Sequence, residues 1–145
     1  MDSTPPLRDD ELALWHAFKG ASEAVTAAVE KEIQDAAGLT GAEFGVLDRL
    51  RLHEGAMRQV DLARSLGWQK SRLSHQLARM QERDLVVRHS SGPSNAMAQL
   101  TAPGRAAIAA ALPAHARAVR AHLVEAVAPE LRATVLEILL AAGRA

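Results

Sequence analysis

Cysteine and tyrosine are missing from the chain, and aromatic residues make up 3% of it, two Trp and two Phe. The lack of cysteine excludes disulfides, thiolate metal sites and any thiol redox switch, a peroxide-sensing thiol included. Scarce aromatics, beside an apolar share of 48% carried mainly by Ala, Leu and Val, favour helix over strand. No basic segment followed by an apolar stretch opens the sequence, and no run approaches the roughly 18 apolar residues that would span a bilayer. A cytoplasmic protein without membrane contact is therefore expected. No Walker loop, GxSxG or GxGxxG is present. The histidines His16, His53, His75, His89, His115 and His122 form no close ligand pair, so neither a metal nor another cofactor is expected.

At 145 residues the chain has the length of one ordinary domain, 1–145. Its net charge is zero, which by itself argues against a polyanionic partner. The distribution argues the other way. Between Arg58 and His89 lie seven cations (Arg58, Arg64, Lys70, Arg72, Arg79, Arg83, Arg88) and three anions (Asp61, Glu82, Asp84), a local charge of +4. The rest of the chain carries ten cations and fourteen anions, so a phosphate-binding footprint can be concentrated only in that window.

Residues 1–8, with Pro5 and Pro6, read as an irregular arm. Asp9 or Asp10 then caps a helix running to about Ala37 and closed by Gly38. Leu14, Phe18, Val25, Val29 and Ile33 form one apolar stripe along it at helical period. Thr40 with Glu43 is a capping-box pattern that opens a second helix. Its inner face is Phe44, Leu47 and either Leu50 or Leu52, and its end falls near His53 to Gly55. A two-turn helix over 59–66 follows, with Val60, Ala63 and Leu66 inward and Gly67 supplying its C-terminal turn. Lys70 to Arg83 reads as a helix with Leu73, Leu77 and Met80 facing the core and a polar, basic opposite face. Residues 85–89 and 96–101 suit two short strands around a turn at Ser90 to Asn95. From Pro103 the chain is Ala-rich and helical, with Pro113 and Pro129 expected to kink or divide it. The last helix carries Leu131, Val135, Ile138, Leu139 and Leu140, more apolar surface than a small core can bury, which points to a partner subunit.

Two short helices joined by a Gly-containing turn, the second with an exposed basic face near its start, meet the requirements of a helix-turn-helix. An α-helix fits the major groove, where side chains of its first turns reach base edges while flanking cations hold phosphates. Ser71, Arg72 and His75 are best placed for bases, and Gln69, Lys70, Ser74 and Arg79 for phosphate. The run Trp68 to Met80, then Leu85-Val86 and Arg88, then Leu100-Thr101 with Gly104, resembles the MarR family of regulators, in an actinobacterial-type branch. That resemblance spans about residues 10–143. It implies a mainly α winged helix-turn-helix lobe at 40–101 with a short β-hairpin, and dimerisation helices at 9–37 and 103–143. It also implies a homodimer that reads a palindromic operator in double-stranded DNA as a repressor, with Arg88 added to the DNA-contacting set. The family's usual Asp and Arg at the hairpin tip are absent here: the tip is Ser90-Ser91-Gly92-Pro93-Ser94-Asn95, and no Arg lies between His89 and Leu100. A wing arginine in the minor groove therefore has no counterpart.

The resemblance further implies a cleft for a small lipophilic or phenolic effector, for which Trp15, His16, Phe18, Phe44, Arg49 and His53 are the candidates. The competing expectation is a MarR-like scaffold that has lost DNA reading and works as a small-molecule-binding protein or an enzyme. In that case acid–base chemistry would fall to His16, Asp48, Arg49 and His53.

Overall fold

The structure, a computed structural model, describes residues 3–92 and 94–144. Met1 and Asp2 of the expected arm, Pro93 of the expected hairpin tip and Ala145 lie outside the described residues. Among the described residues six α-helices and three strands follow in the order α1 (Asp9–Ala37), α2 (Gly41–Leu52), β1 (Ala56–Arg58), α3 (Gln59–Leu66), α4 (Lys70–Glu82), β2 (Val86–Ser90), β3 (Ala96–Leu100), α5 (Ala102–Val119) and α6 (Arg132–Ala142). A π-helical turn at Arg120–Val124 and a 3₁₀ turn at Pro129–Leu131 separate the last two helices. This is a mainly α, winged helix-turn-helix fold. No helix among the described residues is long and apolar enough to cross a membrane.

The chain divides into two compact units, one made of the residues through Val29 and from Ala118 onward, the other of Glu30–Arg117. The second unit holds most of the core. Its α2 is nucleated as the sequence pattern requires: Glu43 N–H donates to Thr40 Oγ1 (3.1 Å) and Thr40 N–H donates to Glu43 Oε1 (2.9 Å). Phe44, Val46, Leu47 and Leu50 are buried along this helix, whereas Leu52 is exposed. Leu73, Leu77 and Met80 of α4 join them, with Val86, Ala98 and Leu100 of the sheet and Ile108, Ala111 and Ala114 of α5. Phe44 stacks on the imidazole of His115, ring centroids 4.6 Å apart.

Two sequence expectations are corrected and a third is extended. The inner face of α3 is Leu62 and Ala63, both buried, while Val60 and Leu66 are half-buried. This helix meets α2 on one side and α4, β1 and β3 on others, so its apolar arc is wider than a single helical stripe. The expected hairpin is formed by β2 and β3 and gains a third antiparallel strand, β1, in the order β1-β3-β2, with Met57 of β1 facing Ala98 of β3 and Arg88 of β2 facing the same residue from the other side. Finally, Pro113 does not divide α5, which continues to Val119. Ala109 and Pro113 are both exposed, so the carbonyl that loses its donor lies where water can reach it. The division comes later, at the π turn and at Pro129.

The first unit hides far less. Among its described residues α6, the π turn and the 3₁₀ turn bury nothing fully. Leu14, Trp15 and Phe18 of α1 and Leu136, Ile138, Leu139 and Leu140 of α6 are all exposed, Leu14 to 73% and Ile138 to 61%. Leu14, Trp15, Phe18, Ile138 and Leu139 line an apolar groove of about 630 Å³ within this unit.

Gly104, buried at the start of α5, lies where a Cβ would collide with the Leu85 carbonyl oxygen that precedes β2. Thr101 ties the same corner, its hydroxyl donating to the Asp84 carbonyl at 2.6 Å and accepting from the Gly104 N–H at 3.0 Å. A Gly104→Ala variant is therefore expected to lose about 1–3 kcal/mol of stability in urea unfolding, because backbone rather than a flexible side chain would have to move.

Candidate nucleic-acid interface

The helix-turn-helix consists of α3, the link Gly67-Trp68-Gln69 and α4. Gly67 adopts the left-handed conformation (φ 67°, ψ 28°) that ends α3, and Trp68 N–H donates to the Ala63 carbonyl at 2.9 Å. These bonds turn the chain directly into α4. Gln69, the N-cap of α4, makes no side-chain capping bond, and the first turn holds no acidic residue. The first-turn amides of Lys70, Ser71 and Arg72 are thus left to an outside acceptor at the positive end of the helix.

Along α4 the buried positions are Leu73, Gln76, Leu77 and Met80. Their spacing pushes Lys70, Ser71, Arg72, Ser74, His75 and Arg79 to the solvent side, and all six are exposed. Gln69 is exposed beside them. Arg88 lies on β2, half-buried, with its N–H and its Nε both donating to Gln81 Oε1 (3.1 and 3.4 Å). A groove of about 290 Å³ runs at the start of α4 and is lined by Arg58, Gln59, Lys70, Ser74 and, from the hairpin side, Ser94. Sequence reasoning omitted Arg58, Gln59 and Ser94 as lining groups because only the pairing of β1 with β3 brings these segments together.

The basic window proves unequal once its partners are seen. Arg58 and Arg64 share Asp61, at 2.9 and 3.3 Å. Arg79 donates to Gln76 Oε1 at 2.7 Å. Arg83 is directed away from this face: it pairs with Glu43, whose carboxylate is almost fully buried, and donates to the Gly38 carbonyl at 3.1 Å. Among the described residues only Lys70 and Arg72 of the seven keep every N–H donor uncommitted, although the Arg72 guanidinium lies over the Trp68 ring, 4.0 Å from its centroid.

The effector candidates are divided three and three between the two units. Trp15 and Phe18 stack on α1 in the first unit, 6.4 Å between centroids, with the Lys19 ammonium 5.7 Å from the Trp15 ring; His16 is exposed on the same helix. In the second unit Phe44 is committed to the core against His115, while Arg49 and His53 sit together through the His53 Nδ1 to Arg49 carbonyl contact of 2.8 Å. No group of three His, Asp or Glu residues able to hold a metal ion occurs among the described residues.

Two measurements follow from these partners. Arg83→Ala strands the buried Glu43 carboxylate and is expected to cost about 1–3 kcal/mol in urea unfolding, whereas Arg72→Ala should change stability by less than about 1 kcal/mol. The hydrogen bond from Arg58 holds the Asp61 carboxyl below its ordinary 3.8, with the charges of Arg58, Arg64 and His53 acting in the same direction. The stabilisation this carboxylate contributes is present above its ordinary value and lost as pH falls through the depressed one. A carbon-13 carboxyl titration should find the Asp61 midpoint below 3.8 and Arg58→Ala should raise it.

Residues 39–99 match a family model described as a domain of unknown function (DUF7343). A search of curated proteins finds no match. Among solved structures, AbsC, a MarR family transcriptional regulator from Streptomyces coelicolor, is 32% identical with a TM-score of 0.89, covering 97% of each chain. Sco3205 from the same organism, a MarR family transcriptional regulator solved in complex with DNA, is 26% identical with a TM-score of 0.85, covering 99% of this chain and 91% of that one. The transcriptional regulator MosR from M. tuberculosis, also solved in complex with DNA, is 25% identical with a TM-score of 0.68 over 89% of this chain and 95% of that one. An α3–turn–α4 unit carrying a sheet beside it, and 32% identity to AbsC over nearly the whole length of both chains, lead to one conclusion: the chain belongs to the MarR family of transcriptional regulators.

Proposed function

We propose that the protein is a sequence-specific DNA-binding repressor. Its homodimer would present two α4 helices to successive major grooves of a palindromic site, about one helical turn apart. The observation that carries this reading is the exposed start of α4, where uncommitted Lys70 and Arg72 side chains adjoin three uncapped amides. The DNA complexes of Sco3205 and MosR support it. In this assignment Arg72, with Ser71 and His75, reads base edges. Lys70, Gln69, Ser74 and the amides of the first turn hold phosphate, and Arg79 and Arg88 flank them.

The dimer is supported by the apolar face of the first unit. Exposed Leu14, Trp15, Phe18, Ile138 and Leu139 form a contiguous patch of the kind that monomers rarely leave to water. A second copy would cover it through the same surface on both subunits. Release by a small lipophilic or phenolic effector belongs to the same reading. Such a compound would free DNA only by favouring a dimer whose α4 helices have the wrong spacing.

A duplex selected by the protein from a random pool tests the reading. With Lys70, Arg79 and Arg88 on phosphate in each subunit, the log–log salt slope of the dimer should be near about −5. Lys70→Ala should reduce that slope by about 2 per dimer while keeping base preference. Arg72→Ala should cost about 1–3 kcal/mol at a single base position with little change of slope. Leu139→Glu should give a monomer by native mass measurement and weaken binding to the palindrome. A wild type that binds every duplex alike would sink the reading.

A further inference from the structure

Trp68 is one of only two tryptophans, and it sits half-buried in the link between the two helices of the motif. Its backbone is anchored, since its N–H donates to the Ala63 carbonyl at the end of α3. Its ring lies against the Arg72 guanidinium, 4.0 Å from centroid to Cζ, and among the described residues Arg72 has no ion pair and no hydrogen bond. The other arginines of the basic window are held through their N–H edges by Asp61, Gln76, Glu43 or Gln81. Arg72 is held by the indole alone.

That difference has a chemical consequence. A guanidinium stacks through its π face while its five N–H donors lie in its plane and point outward. Recognition of a guanine O6 and N7 pair uses two of those in-plane donors. An arginine clamped by a carboxylate must break that pair before it can read a base, whereas one stacked on an indole offers its edge while its rotamers are already restricted. The ring also leaves the positive charge unneutralised, which an acidic partner would not. We infer that Trp68 is a positioning residue for DNA reading: its indole holds the Arg72 guanidinium in a fixed plane, so that base discrimination at α4 depends on the Trp68–Arg72 stack. This rests on the reading that Arg72 contacts a base.

The experiment uses the full chain and the duplex selected by the wild type, together with versions substituted at the base pair whose preference Arg72→Ala abolishes. Trp68→Leu is expected to weaken binding to the selected duplex by about two- to fivefold. It should erode preference at that base pair and leave the other positions and the salt slope unchanged. Trp68→Phe, which keeps a π face, should recover most of the loss. In an Arg72→Ala background Trp68→Leu should change nothing further, because the stack is already gone. An equal loss in both backgrounds, or an equal loss on every duplex, would show that Trp68 acts through packing alone and would overturn the inference. If Arg72→Ala leaves all base preferences intact, the base-reading assignment itself fails and the inference with it. Should Trp68→Leu fold poorly, the cycle is run with Trp68→Met, which fills more of the indole's volume without a π face. The DNA-free wild type is also measured by NMR, where the Arg72 δ protons must be shifted upfield by the indole ring current. Their appearance at ordinary positions would overturn the stack without any variant.

Discussion

The buried carboxylate of Glu43 is the group on which the helix-turn-helix lobe turns. It accepts the Thr40 N–H that opens α2, and it receives the guanidinium of Arg83 at the end of α4, whose other nitrogen reaches the Gly38 carbonyl just beyond α1. One acid thereby ties the close of one helix, the start of the next and the end of α4. A carboxylate so fully withdrawn from water is tolerated only because a cation and a backbone donor satisfy it together. With α4 held at its far end by this contact and along its inner face by Leu73, Leu77 and Met80, the outer face of its first turns is left exposed.

The same accounting separates two kinds of cation that a charge count treats alike. Arg58 and Arg64 converge on Asp61, and Arg83 neutralises an acid drawn from outside the basic stretch. The unpartnered positive charge is therefore narrower than a +4 window suggests and is centred on Lys70, Arg72 and the uncapped start of α4. A helix N-terminus without a capping side chain costs stability in isolation. In the DNA-binding reading proposed above it is the arrangement that electrostatics favours.

The two units also divide the apolar burden unequally. In Glu30–Arg117 the large aliphatic residues are nearly all inside, and the exposed face is polar. In the other unit the long helices place leucine, isoleucine and both stacked aromatics of α1 at the surface. Hydrophobic area of this extent is stable in water only when something covers it. The homodimer proposed above would supply that cover.

Helix positions were readable from the sequence because they depend on neighbours a few residues apart. Thr40 and Glu43 form their capping box, Gly67 ends α3, and the Leu73, Leu77 and Met80 spacing sets which side of α4 faces out. The resemblance to MarR regulators was legible for the same reason, since it is carried by the run Trp68 to Met80. What only the tertiary structure decided involves residues far apart in the chain. The three-residue strand β1 has no periodicity of its own and exists through pairing with β3, about forty positions later. Arg83 looks like one more cation until Glu43 is found beside it, and the inner face of α3 depends on having neighbours on several sides. Local hydrogen bonding and hydrophobic period are written into short stretches of sequence, but the choice of partner for a charge or a strand edge is made only when the chain closes on itself.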